Sequence, residues 1–173
     1  MKHRSPLEIE IKFRVPSIAE GRRQLTTLSF SLVQALEKEI SVLWDRSGSL
    51  QNQDSALRLR QHGAHCTLTF KGARTPDPLL KIRPEIEISV HDFAAAEALL
   101  SALGFTPTLT MIKHRELWER EGLEAALDET PFGCFIELEG PPSHIKLAME
   151  FLCHDQERVE RRSYPELFRQ FGL

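Results

Sequence analysis

Charged side chains recur in this sequence at spacing two, alternating with bulky apolar ones. Residues 7–15 read L-E-I-E-I-K-F-R-V, and similar alternation returns at 56–60, 66–71, 82–90 and 134–139, more loosely at 39–45, 107–118 and 123–128. The charged positions so collected are Glu8, Glu10 and Lys12; Arg58 and Arg60; Lys71; Arg83, Glu85 and Glu87; Lys113 and Arg115; Asp128; and Glu137 with Glu139. Seven are acidic and seven basic. Arginine forks grip phosphate oxygens in pairs and lysines act as point charges, so the basic set suits a run of phosphates. Clustered carboxylates suit a hard divalent cation, Mg²⁺ or Mn²⁺, which takes oxygen ligands and keeps some of its water. A metal-bound polyphosphate meets both demands.

Period-two patterning places these groups on β-strands, one face charged and the other apolar. The apolar partners include Ile9, Ile11, Leu57, Leu59, Leu68, Phe70, Ile86, Ile88, Leu127, Ile136 and Leu138, which suit burial under helices. Helical segments are expected at about 16–30, at 93–103 between an Asp92 cap and Gly104, and at 143–153. A short last helix would start at Ser163 and Glu166, which stand in capping-box spacing. The elements amount to an α+β fold, a sheet of roughly eight strands with helices on its apolar side. If that sheet curls or closes, the charges line a concavity or a barrel lumen. An empty lumen of this kind is costly, because crowded like charges repel and each buried ion carries a desolvation penalty, so the pattern asks for a charged ligand.

The chain has 173 residues, 41% hydrophobic, with a net charge of −3, and no linker or low-complexity stretch divides it, so residues 1–173 read as one domain. That balance gives no support for a broadly basic nucleic-acid binder or a polybasic membrane protein, although it leaves a local patch of either sign open. Cys66, Cys134 and Cys153 form no C-x-x-C pair, which argues against a disulfide framework or a thiolate zinc site and fits a reducing cytoplasm. Lys2 and Arg4 run into charged alternation with no apolar stretch behind them, so no signal peptide is expected, and no apolar run approaches the ~18 residues of a membrane span. Neither a G-x-x-x-x-G-K-[ST] loop nor a G-x-G-x-x-G fingerprint occurs, so side chains would have to hold any phosphate.

Glu8-Ile9-Glu10-Ile11-Lys12 resembles the E-x-E-x-K signature of the CYTH superfamily, the triphosphate tunnel metalloenzymes, and further elements follow in that family's order. Leu57-Arg58-Leu59-Arg60 is similar to its L-R-x-R strand, Thr69-Phe70-Lys71-Gly72 to T-x-K-G, and Arg83 with Glu85 and Glu87 to R-x-E-x-E. Lys113-His114-Arg115 is similar to K-x-R, Leu127-Asp128 and Glu137-Leu138-Glu139-Gly140 to the late L-D and E-x-E-G strands, and Ser163-Tyr164 to a C-terminal S-Y element. The resemblance implies an eight-stranded antiparallel β-barrel binding a triphosphate with divalent metal. By it Lys12, Arg58, Arg60, Lys71, Arg83, Lys113 and Arg115 would contact phosphate, and Glu8, Glu10, Glu85, Glu87, Asp128, Glu137 and Glu139 would divide between metal coordination, water activation and orienting the basic groups. Glu137, Glu139 and Glu10 are the expected ligands nearest the metal. Pro84 departs locally; it removes a ladder donor, and a bulge or strand break there would turn Arg83 from the charged face.

Three functions fit these parts. The first is a Mg²⁺- or Mn²⁺-dependent triphosphatase, in which one ion and the basic cluster would neutralise the transferred phosphoryl group and a second ion, held by Glu137, Glu139 or a neighbour, would orient and acidify the attacking water, with Lys71 as an alternative base. The second is a class IV adenylyl cyclase, which needs an adenine pocket the sequence does not identify. The third is an idle polyphosphate or nucleotide sensor. The expected partner is a triphosphate-containing small molecule, with no nucleic acid or membrane, in a monomer or homodimer. His114 has the opposite parity to Lys113 and Arg115 and reads as structural. Trp44 reads as packing, or as a stacking aromatic at a tunnel mouth, and Tyr164 as a docking residue for the last helix or as one that reaches the substrate.

Overall fold

A computed structural model describes residues 7–152 and 158–172; Lys2, Arg4 and Cys153 lie outside the described residues. Eight antiparallel strands close into a barrel in the order β1-β5-β4-β3-β2-β6-β7-β8. In chain order they are β1 (Leu7–Val15), β2 (Ser31–Asp45), β3 (Ala56–His62), β4 (His65–Lys71), β5 (Lys81–Val90), β6 (Thr106–Arg120), β7 (Leu123–Thr130) and β8 (Gly133–Glu139). The helices are α1 (Ile18–Thr27), α2 (Phe93–Ala102), α3 (Pro142–Leu152) and α4 (Tyr164–Gln170).

Local chemistry sets the boundaries. Ser17 caps α1 by accepting from the Glu20 N–H, Asp92 caps α2 through the Ala95 N–H, and the expected capping box between Ser163 and Glu166 starts α4. Glu121 and Gly122 both adopt positive φ, the geometry of a two-residue hairpin turn, and join β6 to β7. The segment expected to stay helical to residue 30 instead ends at Thr27, because residues 31–38 extend β2 backwards from the alternating stretch at 39–45. Pro84 neither bulges nor breaks β5: it is exposed, its carbonyl accepts from the Gly72 N–H at 2.8 Å, and pairing continues from Lys71 opposite Glu85. Only its own missing N–H is lost from the ladder.

By packing, the chain divides into two compact units: residues 1–8, 39–76 and 82–112 in one, and 9–38, 77–81 and 113–173 in the other. In the first, Val42, Trp44 and Leu59 bury against Ala96 and Leu100 of α2. Leu68 of β4 and Val90 of β5 pack against that core, but Phe70, Ile86 and Ile88 are exposed, contrary to the burial their alternation suggests. In the second unit Phe13, Leu25, Leu127, Ile136, Leu138 and Ile145 are fully buried. There α1 lies so near β7 that a Cβ on Gly21 would come within 2.4 Å of Leu127 Cδ1.

Candidate functional site

Directly opposed residues on antiparallel strands project from the same face. In the first unit the register sets Arg58 opposite Thr69, Arg60 opposite Thr67, Thr69 opposite Glu87 and Lys71 opposite Glu85, so the predicted charges of three strands share one face. Glu87 accepts from Arg60 Nη2 at 3.1 Å and from the Thr69 hydroxyl at 2.8 Å, with Arg58 Nη2 at 3.9 Å. Lys71 donates to Glu8 and lies 2.8 Å from Glu85 Oε2. Burial pushes the Glu85 carboxyl up, as does Glu87, but Lys71 and Arg58 outweigh both and hold it below its ordinary value. The buried Arg58 Nε has no hydrogen-bond partner among the described residues.

Arg83 is placed differently. Its Nε donates to the Gly72 carbonyl and its Nη2 to the Asp54 carbonyl, both at 2.8 Å, and Nη2 lies 3.4 Å from the Lys71 carbonyl. The guanidinium thus brackets the ends of two loops. Outside that bracket Arg74 grips the Asp54 carboxylate through its backbone and side-chain nitrogens.

In the second unit the face of β1, β6, β7 and β8 is equally crowded. Arg115 stands opposite Asp128, and Lys12 opposite Glu137. Asp128, wholly buried, accepts from Arg115 Nε and Nη2 at 2.6 Å each, from Lys113 Nζ at 3.1 Å and from the Tyr164 hydroxyl. Arg115 Nη2 also reaches Glu137 at 2.6 Å, and Lys12 Nζ is 3.7 Å from Glu137. Burial and Glu10 push the Glu137 carboxyl up, yet Arg115, Lys12 and Lys113 together hold it below its ordinary range. Burial lowers Lys12, aided by Lys81 and Lys113 and opposed by Glu137 and Glu10.

Three carboxylates converge. Oxygens of Glu8, Glu10 and Glu139 all lie within 4.8 Å of one another. The cause is simple: Glu8 and Glu10 are two residues apart on β1, and Glu139 is the direct register partner of Glu10. Their cations are Lys71 on Glu8 and Lys81 on Glu10, the latter at 2.5 Å. The buried Glu8 Oε2 lacks a hydrogen-bond partner among the described residues. An all-oxygen donor set with a vacant buried lone pair fits Mg²⁺ or Mn²⁺. Glu137, also expected near the metal, is not one of these three and lies between Arg115 and Lys12. Asp128 accepts on both oxygens and Glu87 on Oε2 from cations and hydroxyls, the arrangement of groups that orient basic side chains.

Sequence reasoning missed three participants. Glu39 is almost fully buried on β2; Ser41 Oγ donates to it at 3.2 Å and Arg60 Nη1 lies 3.9 Å away. Lys81 continues the parity of Arg83, Glu85 and Glu87, and counting back two residues from Arg83 finds it. Thr69 supplies a hydroxyl. Cys66 and Cys134 are free cysteines, half-buried. Trp44 belongs to the α2 core, as its packing reading expects.

The fold is a closed antiparallel barrel of eight strands on which acidic and basic side chains are paired. A sequence model of the CYTH domain matches residues 6–152, and the chain belongs to that family of metal-dependent enzymes acting on triphosphate-containing substrates. It is 28% identical over 172 residues to a candidate adenylate cyclase of Methanocaldococcus jannaschii, covering 93% of this chain and 98% of that one. A candidate adenylate cyclase of Vibrio parahaemolyticus has the same fold, with a TM-score of 0.83 at 17% identity over 96% of this chain and 99% of the other. So does a candidate adenylyl cyclase of Hippeastrum described as having a dominant triphosphatase activity, with a TM-score of 0.73 at 23% identity over 96% and 97% of the two chains. Among the described residues no helix is long and apolar enough to cross a membrane.

Proposed function

We propose that this protein hydrolyses triphosphate-containing substrates with a divalent metal ion, Mg²⁺ or Mn²⁺. The observation that carries the reading is the convergence of Glu8, Glu10 and Glu139, with Lys71 and Lys81 bonded to them. In this reading Lys12, Arg58, Arg60, Lys71, Lys81, Lys113 and Arg115 hold phosphate oxygens, and the unsatisfied Arg58 Nε is the donor most ready for one. Glu8, Glu10 and Glu139 hold the metal. When bound, that ion neutralises charge on the transferred phosphoryl group and acidifies water.

The remaining roles belong to the chain's own carboxylates. Asp128 fixes the Arg115 fork and the Lys113 ammonium, while Glu87 fixes Arg60, so the cations are positioned before a substrate arrives. Glu137 stays ionised between Arg115 and Lys12 and orients the attacking water together with Glu139. Lys71, with a carboxylate on either side, binds phosphate in this reading; its expected alternative role as a base required a neighbourhood of cations.

A class IV adenylyl cyclase would use the same grip and direct the ribose 3′-hydroxyl at the α-phosphorus. The names of similar proteins include both activities and do not choose between them. Hydrolysis is preferred because it needs only the groups already placed. Incubating purified protein with tripolyphosphate, ATP and thiamine triphosphate under Mg²⁺ or Mn²⁺ tests it. Orthophosphate release supports hydrolysis; pyrophosphate with cyclic AMP from ATP and no orthophosphate would sink it, and no product from any of the three leaves the idle sensor.

A further inference from the structure

Tyr164 sits where a phosphate-binding site would not need an aromatic ring. Its ring centroid is 4.0 Å from Lys12 Nζ and 4.1 Å from Lys113 Nζ, so two ammonium groups from β1 and β6 approach the same ring. Its hydroxyl donates to Asp128, and Phe135 meets it edge-on at 5.8 Å and 88°. Both Ser163 and Glu166 fix the backbone at this point through the capping box. The ring is therefore held at its hydroxyl end by Asp128, at its side by Phe135 and at its root by the start of α4.

Lys113 acts on Lys12 as a like charge, and the π-face of an aromatic ring attracts cations. Burial and the adjacent Asp128 carboxylate push the phenol far above its ordinary range, so it remains a neutral donor. We infer that Tyr164 is a positioning residue, its ring holding both the Lys12 and the Lys113 ammonium so that both address one phosphate chain. This rests on the proposed phosphate-binding role of those lysines. Asp128 can hold Lys113 alone through a hydrogen bond, and Glu137 lies 3.7 Å from Lys12; the Tyr164 ring meets both lysines. A docking residue for the last helix would need only bulk.

The test separates the ring's electrostatics from its volume. Tripolyphosphate binding to the full chain is measured by calorimetry without added metal, for wild type, Tyr164→Phe, and a graded series Tyr164→fluoro-, trifluoro- and pentafluorophenylalanine, with melting temperature recorded for each. Fluorination preserves shape and removes the negative π-face. The expected result is binding within about threefold of wild type for Tyr164→Phe and a stepwise loss reaching about tenfold for the pentafluoro variant, from two weakened cation–π contacts. Equal or tighter binding across the fluorinated series overturns the inference, whatever the melting temperatures do. A loss already complete in Tyr164→Phe also overturns it, since the hydroxyl would then be the operative group. Failure of the wild type to bind tripolyphosphate instead removes the site reading on which the inference rests.

Discussion

Arg115 and Asp128 face each other in register across β6 and β7 and meet fork to fork, Nε on Oδ1 and Nη2 on Oδ2, both at 2.6 Å. Asp128 is wholly buried, so its charge depends on those donors together with Lys113 and Tyr164. Removing one partner of a buried pair leaves an uncompensated ion, which costs about 3–5 kcal/mol. Arg115→Ala should therefore unfold in urea with a stability loss on that order. Arg115→Lys should recover only part, because a point charge cannot reproduce two parallel bonds. Equal stability of wild type and Arg115→Ala would contradict this account of Asp128.

Arg58 and Arg83 carry the same side chain and should fail differently. The Arg58 Nε is buried and unsatisfied, whereas Arg83 is bonded to the carbonyls of Gly72 and Asp54. Arg58→Ala should weaken tripolyphosphate affinity by about tenfold or more while leaving the melting temperature close to wild type. Arg83→Ala should lower the melting temperature by several degrees, since it strands buried carbonyls at a cost of about 1–3 kcal/mol. Binding isotherms and thermal melts on the two variants check the contrast; identical profiles would refute it.

Arg60→Ala and Glu139→Ala should each reduce turnover by about 10²-fold or more and leave the fold intact, for different reasons. The first removes a phosphate fork fixed by Glu87, and the second removes one of three converging carboxylates. Glu139→Ala should also need a higher Mn²⁺ concentration for half-maximal rate, a shift absent from Arg60→Ala. Metal titrations of the two variants distinguish them, and unchanged rates in both would overturn the site.

Glu160 joins the segment after α3 to β1: its N–H donates to the Lys12 carbonyl at 2.8 Å, and its carboxylate takes Arg14 and Arg162. Burial pushes that carboxyl up, but hydrogen bonds from Arg162 and Arg14 bring it down to about 2. A depressed carboxyl contributes stability that is complete above its unfolded pKa of about 4.5 and fades as pH falls toward 2. In wild type, stability should therefore decline between about pH 4.5 and 2. Glu160→Gln should be less stable at pH 7, by on the order of 1–3 kcal/mol, and show a shallower decline across that window. Urea midpoints from pH 2 to 7 report both.

Strand positions were readable because charge at period two is hard to mistake, and parity assigned a common face to Arg58, Lys71, Glu85 and Glu87. Parity says nothing of which atom a side chain reaches. Arg83 shares the parity of Glu85 yet spends its donors on backbone, and Asp128 and Glu8 look alike as letters although four donors crowd one and an oxygen of the other is unsatisfied. Glu39 was hidden by the run Glu37-Lys38-Glu39, where both parities carry charge. The exposed Ile86 and Ile88 show the opposite failure, an apolar stripe without the helix that alternation alone promises.

The bond from Tyr164 to Asp128 also has a temporal meaning. A ribosome makes residues 163 and 164 after every strand, so the barrel's charged groups can exist on a nascent chain before the ring that contacts Lys12 and Lys113 has emerged. Until then Asp128 has one donor fewer and the two lysines lack their shared contact. That contact is thus tied to synthesis of the chain through α4, and a product stopped short of residue 164 would carry every E-x-E and R-x-R pair with it unmade.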